Sequence, residues 1–210
     1  MHPDKQVITL KYLALGDSYT IGENVCKNCG YPIQLKNSLQ KLYPTYPISV
    51  KTIAKTGWTT GDLISAINNE DPANDYDFVT LLIGVNNQYQ NKPFPIYEKE
   101  FPVLLKKAIA FAKGNKKNVI VISIPDYAFT SFGQRKPNPK NISLEIDHYN
   151  AFAENYCLQN GVEFLNVTDI SRQGLNNPGL VTKDGLHPSE EAYSRFTERL
   201  LPKIKSILNK

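Results

Sequence analysis

The apolar positions of the chain fall into short runs separated by longer, sparser segments. Five runs rich in Val, Ile, Leu and Tyr read as strands: Val7–Leu15, Ile48–Ile53, Phe78–Ile83, Val119–Ile124 and Val162–Val167. Between them the apolar spacing is helical, near Pro32–Leu42, Thr60–Asn68, Ile96–Ala112 and Ile142–Asn160. A last helix is predicted over Ser189–Leu208. There Ala192, Phe196, Leu200, Ile204 and Leu208 recur at every fourth position and draw one apolar stripe. Pro188 suits the entry to that helix, where a missing N–H costs nothing. Pro202 inside it predicts a kink or a split.

Strand and helix in alternation read as a parallel sheet covered on both faces. Val79–Ile83 is apolar at nearly every position, as a strand buried on both sides must be. Sheets of this kind collect ligands outside the carboxyl ends of their strands, so chemistry is sought just after each strand. No domain boundary is visible, and residues 1–210 read as a single domain. The most linker-like stretch, Phe129–Asn141, reads as a long surface loop at the active edge, because too little chain follows it to build a second core.

Four of the junctions carry reactive residue types. After the first strand comes Gly16-Asp17-Ser18-Tyr19, where Ser18 is a helix cap, a turn residue or a nucleophile. It lacks the second glycine of a G-x-S-x-G elbow. After the second comes Thr56-Gly57-Trp58, where Gly57 is a turn glycine or a backbone donor open to a ligand. After the third comes Gly84-Val85-Asn86-Asn87, turn residues or amides able to donate to an oxyanion. Near the end comes Asp184-Gly185-Leu186-His187-Pro188, a capping Asp with an incidental His, or a carboxylate that orients an imidazole. His2 and His148 have no such setting and read as surface residues. Taken together, the four junctions supply a nucleophile, a base with its orienting carboxylate, and oxyanion donors.

Composition narrows the classes further. The chain has 210 residues, 41% hydrophobic and 21% charged, which excludes intrinsic disorder as its main state. The net charge of +4 is spread along the chain. The basic stretches Lys113–Lys117 and Arg135–Lys140 lack the aromatic interleaving of a nucleic-acid platform, so no nucleic acid is expected as a partner. The longest apolar run, Phe78–Val85, falls far short of the ~20 residues a membrane helix needs. Met1–Gln6 lacks the layout of a secretory signal, which favours a cytoplasmic location. Three cysteines make no disulfide framework. Cys26 and Cys29 read as ordinary thiols ahead of a disulfide or half of a zinc site. Tyr19, Trp58, Tyr89, Phe94, Tyr127, Phe129 and Phe132 fall on loops at the expected active edge, able to line an acyl or aryl pocket or merely to cover the sheet.

The blocks resemble those of the SGNH hydrolases, the GDSL esterase/lipase superfamily, whose Ser, Gly, Asn and His match Ser18, Gly57, Asn86 and His187. Tyr19 stands where the family name has Leu, and Asn87 stands where the third block usually carries Asp. The matches run from residue 16 to 188. The resemblance implies a flavodoxin-like three-layer α/β/α sandwich of about five parallel strands. It implies ester hydrolysis without metal or organic cofactor, through Ser18, His187 and Asp184, with Ser18, Gly57 and Asn86 as the oxyanion hole. Asp17, Tyr19, Trp58, Asn87 and Tyr127 are candidate substrate contacts. By size and by Gly16–Glu23, the lysophospholipase L1-like and acyl-esterase branch is the nearest likeness. The expected substrate is a small-molecule or lipid ester; carbohydrate O-acetyl esters, and a non-catalytic ligand-binding module, are the alternatives.

Overall fold

The computed structural model describes residues 8–209. Five parallel strands form one sheet in the order β2-β1-β3-β4-β5: β1 Leu10–Gly16, β2 Ile48–Ala54, β3 Phe78–Leu82, β4 Val119–Ile122 and β5 Glu163–Leu165. The helices among the described residues are α1 Ser18–Ile21, α2 Tyr31–Leu42, α3 Thr60–Glu70, α4 Val85–Tyr89, α5 Phe94–Phe111, α6 Ser131–Gln134, α7 Pro139–Asn160, α8 Thr168–Ser171 and α9 Glu190–Leu208. α2 packs on α9, while α3 packs on α5 and α5 on α7, so helices cover both faces of the sheet. This is the expected three-layer α/β/α fold with flavodoxin-like strand order. Its order reverses between β1 and β3, and the site is to be sought there.

Burial explains the pattern. All five residues of β3 are buried, as the apolar run predicts. At the edge, β2 is only partly buried, with Ile48 and Ile53 turned into the core. Across the sheet Tyr12 stacks on Phe78 with ring centroids 4.5 Å apart. The Tyr12 hydroxyl is satisfied in the core by Thr80 Oγ1 at 2.7 Å, which avoids the cost of an unpaired buried polar group.

Four expectations need correction or completion. The first strand begins at Leu10, and Val7 lies outside the described residues, as does His2. The last strand is shorter than Val162–Val167: Ser123 Oγ accepts the N–H groups of Val167 and Thr168 and draws them out of the ladder. Helix α9 runs unbroken through Pro202. Phe196, Leu200 and Ile204 are buried around that turn, whereas Pro202 and Glu198 are exposed. Water can therefore serve the carbonyl that Pro202 leaves without a donor, and the apolar stripe holds the helix together. The stretch Phe129–Asn141 is not a plain loop. It contains α6, capped by Thr130 Oγ1 accepting from the Gly133 N–H at 3.0 Å, and the first turn of α7, capped by Asn138.

Candidate active site

Strands β1 and β3 lie side by side, with Gly16 beside Leu82, so the turns that follow them open at the same end of the sheet. After β1, Asp17 caps α1 by accepting the Tyr19 N–H at 3.0 Å. Ser18, the first residue of that helix, is only 5% exposed. After β3, Gly84 turns the chain with φ 126°, a conformation that L side chains rarely adopt. A Cβ there would stand 2.7 Å from the Tyr97 ring. This glycine swings α4, and with it Asn86, back over the sheet edge.

Gly57 sits at φ 83° in the turn after β2. Two amides, one in α4 and one just past its end, hold that turn: Asn86 Nδ2 donates to the Trp58 carbonyl at 3.0 Å and Gln90 Nε2 to the Gly57 carbonyl at 2.9 Å. Each amide nitrogen carries two hydrogens, so Asn86 keeps one to offer. Ser18, Gly57, Asn86 and His187 all line one cavity of about 280 Å³. The structure therefore brings the four junctions together, as the sequence reading required.

His187 comes from the loop between β5 and α9. A single antiparallel bridge, Val181 to Pro188, closes the loop. His187 Nδ1 lies 2.6 Å from Asp184 Oδ2. The other carboxylate oxygen, Oδ1, accepts from Thr182 Oγ1 at 2.6 Å and from the N–H groups of Leu186 at 2.8 Å and His187 at 3.0 Å. Burial by itself would push the Asp184 carboxyl up. The bonds from the His187 ring, the Thr182 hydroxyl and those two backbone N–H groups outweigh it and hold the carboxyl well below the usual range. An ionised Asp184 fixes the proton on Nδ1 and leaves Nε2 for the cavity. No hydrogen bond joins Ser18 to His187 among the described residues; contacts of this kind tighten when substrate binds.

The remaining wall is apolar and aromatic: Tyr19, Val85, Tyr89, Tyr127, Phe132 and Leu186, with Thr56 at the edge. Tyr19 meets the His187 ring edge-on, centroids 6.0 Å apart. The Tyr127 hydroxyl is spent on Gln88 Oε1 at 2.8 Å, so the tyrosine presents its ring rather than its oxygen. Sequence reasoning missed Thr56, Val85 and Leu186, whose only signal was their place beside the marked residues.

Three candidate substrate contacts do not face the cavity. Asp17 has no exposed surface; one oxygen caps α1 and the other has no partner among the described residues, and burial pushes its carboxyl up to about 7. Asn87 is also fully buried. Its Oδ1 accepts the Thr60 N–H at 3.0 Å and its Nδ2 donates to Thr60 Oγ1 at 2.7 Å. The Thr60 hydroxyl in turn donates to Glu100. With its one proton committed there, Thr60 requires a donor at position 87, which an amide supplies and an ionised carboxylate does not. That chain accounts for Asn in place of the usual Asp. Trp58 does not line the cavity and enters the site only through its backbone carbonyl. Of the loop aromatics, Phe94 packs away from the site, its ring 3.9 Å from that of His148 and 5.0 Å from that of Tyr149. Phe129 packs beneath Arg172.

Cys26 and Cys29 are joined in a disulfide, contrary to their reading as ordinary thiols. The Cys29 N–H donates to the Cys26 carbonyl at 2.9 Å, a turn that brings the Cα atoms to 5.0 Å, within bridging range. Cys157 is a buried free thiol.

A doubly covered parallel sheet with Ser, Gly, Asn and Asp-x-x-His gathered at its switch point defines a class of α/β hydrolytic enzymes. The sequence profile of the GDSL-like Lipase/Acylhydrolase family matches residues 14–195, and the chain belongs to that family. It is a carboxylic ester hydrolase. Among solved structures, it is similar to a lipase from a goat rumen metagenome, at 19% identity over 93% of this chain and 97% of that one, TM-score 0.72. It is also similar to a member of the lipolytic protein G-D-S-L family from Veillonella parvula, at 16% identity over 92% and 97%, TM-score 0.70. A third is the acetyl xylan esterase Axe2 from Geobacillus stearothermophilus, at 21% identity over 94% and 96%, TM-score 0.69. No curated protein matches the chain by sequence. Among the described residues, no helix is long and apolar enough to cross a membrane.

Proposed function

We propose that the cavity hydrolyses short acyl or aryl esters of small alcohols through Ser18, His187 and Asp184. The carrying observation is the 2.6 Å contact of His187 Nδ1 with an ionised Asp184, on a ring that shares its cavity with Ser18. Ser18 Oγ attacks the ester carbonyl as His187 Nε2 takes its proton. The tetrahedral intermediate collapses as that proton passes to the leaving alcohol. Water then repeats the sequence on the acyl-enzyme, releasing the acid. The oxyanion is met by the N–H groups of Ser18 and Gly57 and by the free amide hydrogen of Asn86.

Size and chemistry of the wall point to the acyl group. About 280 Å³ lies at the low end of small-molecule sites. Tyr89, Tyr127 and Phe132 offer ring faces, which suit a short acyl chain or an aryl group better than a sugar. A longer lysophospholipid-like chain would have to run out over that aromatic rim. The likeness to an acetyl xylan esterase keeps acetylated xylo-oligosaccharides as the second reading.

The test is a panel of p-nitrophenyl esters of rising chain length, a lysophospholipid, an acyl-thioester and acetylated xylo-oligosaccharide. Each is run against the wild type and Ser18→Ala. Highest kcat/KM on short esters is expected, falling by about 10⁴-fold or more in the variant. Full turnover by Ser18→Ala would overturn the mechanism, and a preference for the oligosaccharide would replace the substrate class.

A further inference from the structure

We propose that Asn24 is a positioning residue for ester hydrolysis, one that fixes Asp184 and through it the His187 ring. This rests on the assignment of Asp184 and His187 given above. Asp184 stands on a loop outside the sheet, and its side chain keeps 27% of its surface exposed. Its Oδ1 is held entirely by neighbours on its own loop, Thr182, Leu186 and His187. Those bonds move with the loop and cannot set its place relative to Ser18.

The oxygen that faces the imidazole is different. Oδ2 meets His187 Nδ1 at 2.6 Å and accepts Asn24 Nδ2 at 2.5 Å. Asn24 is the one residue from outside the loop that donates to this carboxylate among the described residues, and it comes from the segment just after the nucleophile helix. It therefore ties the Ser18 side of the cavity to the Asp184 side. A donor on the same oxygen also restricts the rotation of the carboxylate about its Cβ–Cγ bond, which would otherwise swing Oδ2 away from Nδ1.

The segment that carries Asn24 is built to be short and stiff. Its ends touch: a Cβ added to Gly30 would stand 3.3 Å from Gly22 Cα. The Cys26–Cys29 disulfide closes its far side. Asn24 itself lies at φ 61°, where Asn is tolerated better than most side chains. On its other flank Glu23 accepts the hydroxyl of Thr56, which lines the cavity next to Gly57. One small loop thus reaches both the carboxylate and the oxyanion side of the site. Surface hydrogen bonds without function are common, but one shared with the ring partner of the base carries geometry.

The experiment compares steady-state hydrolysis of p-nitrophenyl acetate by wild type, Asn24→Gly, Asn24→Asp and Asp184→Asn. It is accompanied by the downfield proton NMR signal of the His187 Nδ1–H. Glycine suits the left-handed backbone at position 24, so Asn24→Gly removes the donor without backbone strain. Asn24→Asp also accepts that conformation while replacing the donor by a carboxylate. In both, kcat should fall roughly tenfold to a hundredfold, the scale of a displaced catalytic group, with KM within about twofold. The Nδ1–H signal should broaden or vanish. If both variants keep kcat within about twofold of wild type while Asp184→Asn loses activity, the positioning role is wrong and the triad stands. If KM rises at unchanged kcat, the positioning role is likewise wrong. If Asp184→Asn itself turns over normally, the triad assignment fails first.

Discussion

The two sides of the cavity are held by different forces. Ser18 and Asn86 are mounted on the ends of core strands: β1 from Tyr12 onward and all of β3 are buried, and α4 is buried over most of its length, whereas Gly57 follows the edge strand β2 and is tied to that frame by the Asn86 and Gln90 amides. His187 and Asp184 are mounted on a loop outside the sheet, closed by one isolated bridge and by polar contacts. The mounts of Ser18 and Asn86 inherit their rigidity from core packing, which tolerates no gap and no added atom. The base side is assembled from hydrogen bonds to an ionised carboxylate, worth about 1.5–3 kcal/mol each, which can be traded one at a time. Changes on the first side should therefore strike fold and activity together, and changes on the second should strike activity alone.

The strongest separation is expected from His187→Ala. It should cost about 10⁴-fold in kcat, as loss of a triad member does, with little change in melting temperature. A variant that unfolds would show that the loop, too, is part of the core. The mirror experiment is Gly84→Ala. Its Cβ would lie 2.7 Å from Tyr97 and 2.9 Å from Ile124 at φ 126°. A loss of about 3 kcal/mol or more is expected in urea denaturation, and an unchanged midpoint would deny the packed side its rigidity.

A finer break is Asn87→Asp. The ionised carboxylate leaves Thr60 Oγ1 without a donor and places a second negative charge near Glu100. About 1–3 kcal/mol of stability should be lost at neutral pH. Lowering the pH should restore part of it, because a protonated carboxyl can donate. Adding Glu100→Gln should restore more, since Thr60 is then free to donate to position 87. No recovery in the double variant would discard this account of the Asn.

The break that depends most on pH is expected at Asp17. Burial raises its folded carboxyl from the ordinary 3.8 to about 7. Between those values the folded state keeps a proton that the unfolded state has released, so stability falls as pH rises through that window. In Asp17→Asn the amide oxygen can still accept the Tyr19 N–H as a cap. The melting temperature of this variant relative to wild type should thus climb from about pH 4 to about pH 7 and then level off, by roughly ten degrees. A difference that is flat with pH would show that the buried oxygen is not penalised.

Much of this architecture is local and was readable as such. Val79–Ile83 buries every side chain whichever neighbours it finds, and the stripe from Ala192 to Leu208 requires a helix on a surface. Gly, Ser and Asn stand just past strand ends, where turn and cap chemistry favours such residues, so those blocks carry their own address, whereas Asp184 and His187 lie on a loop well past β5. The misreadings arose where a distant partner decides. Asp17, Asn87 and Trp58 sit in the right blocks, yet their side chains turn away from the cavity, and no spacing reports that direction. Pro202 breaks a helix in isolation but not one clamped by a buried stripe.

What the sequence alone determined is the alternation of elements, the edge at which chemistry collects and the identity of the reactive groups, because each follows from period, turn chemistry and residue type over a few positions. Only the tertiary structure decided which of those groups share a cavity and that Asn24 reaches Asp184. Contacts between residues so far apart in the chain depend on the packing of the whole molecule, and packing has no signature in a short stretch of residues.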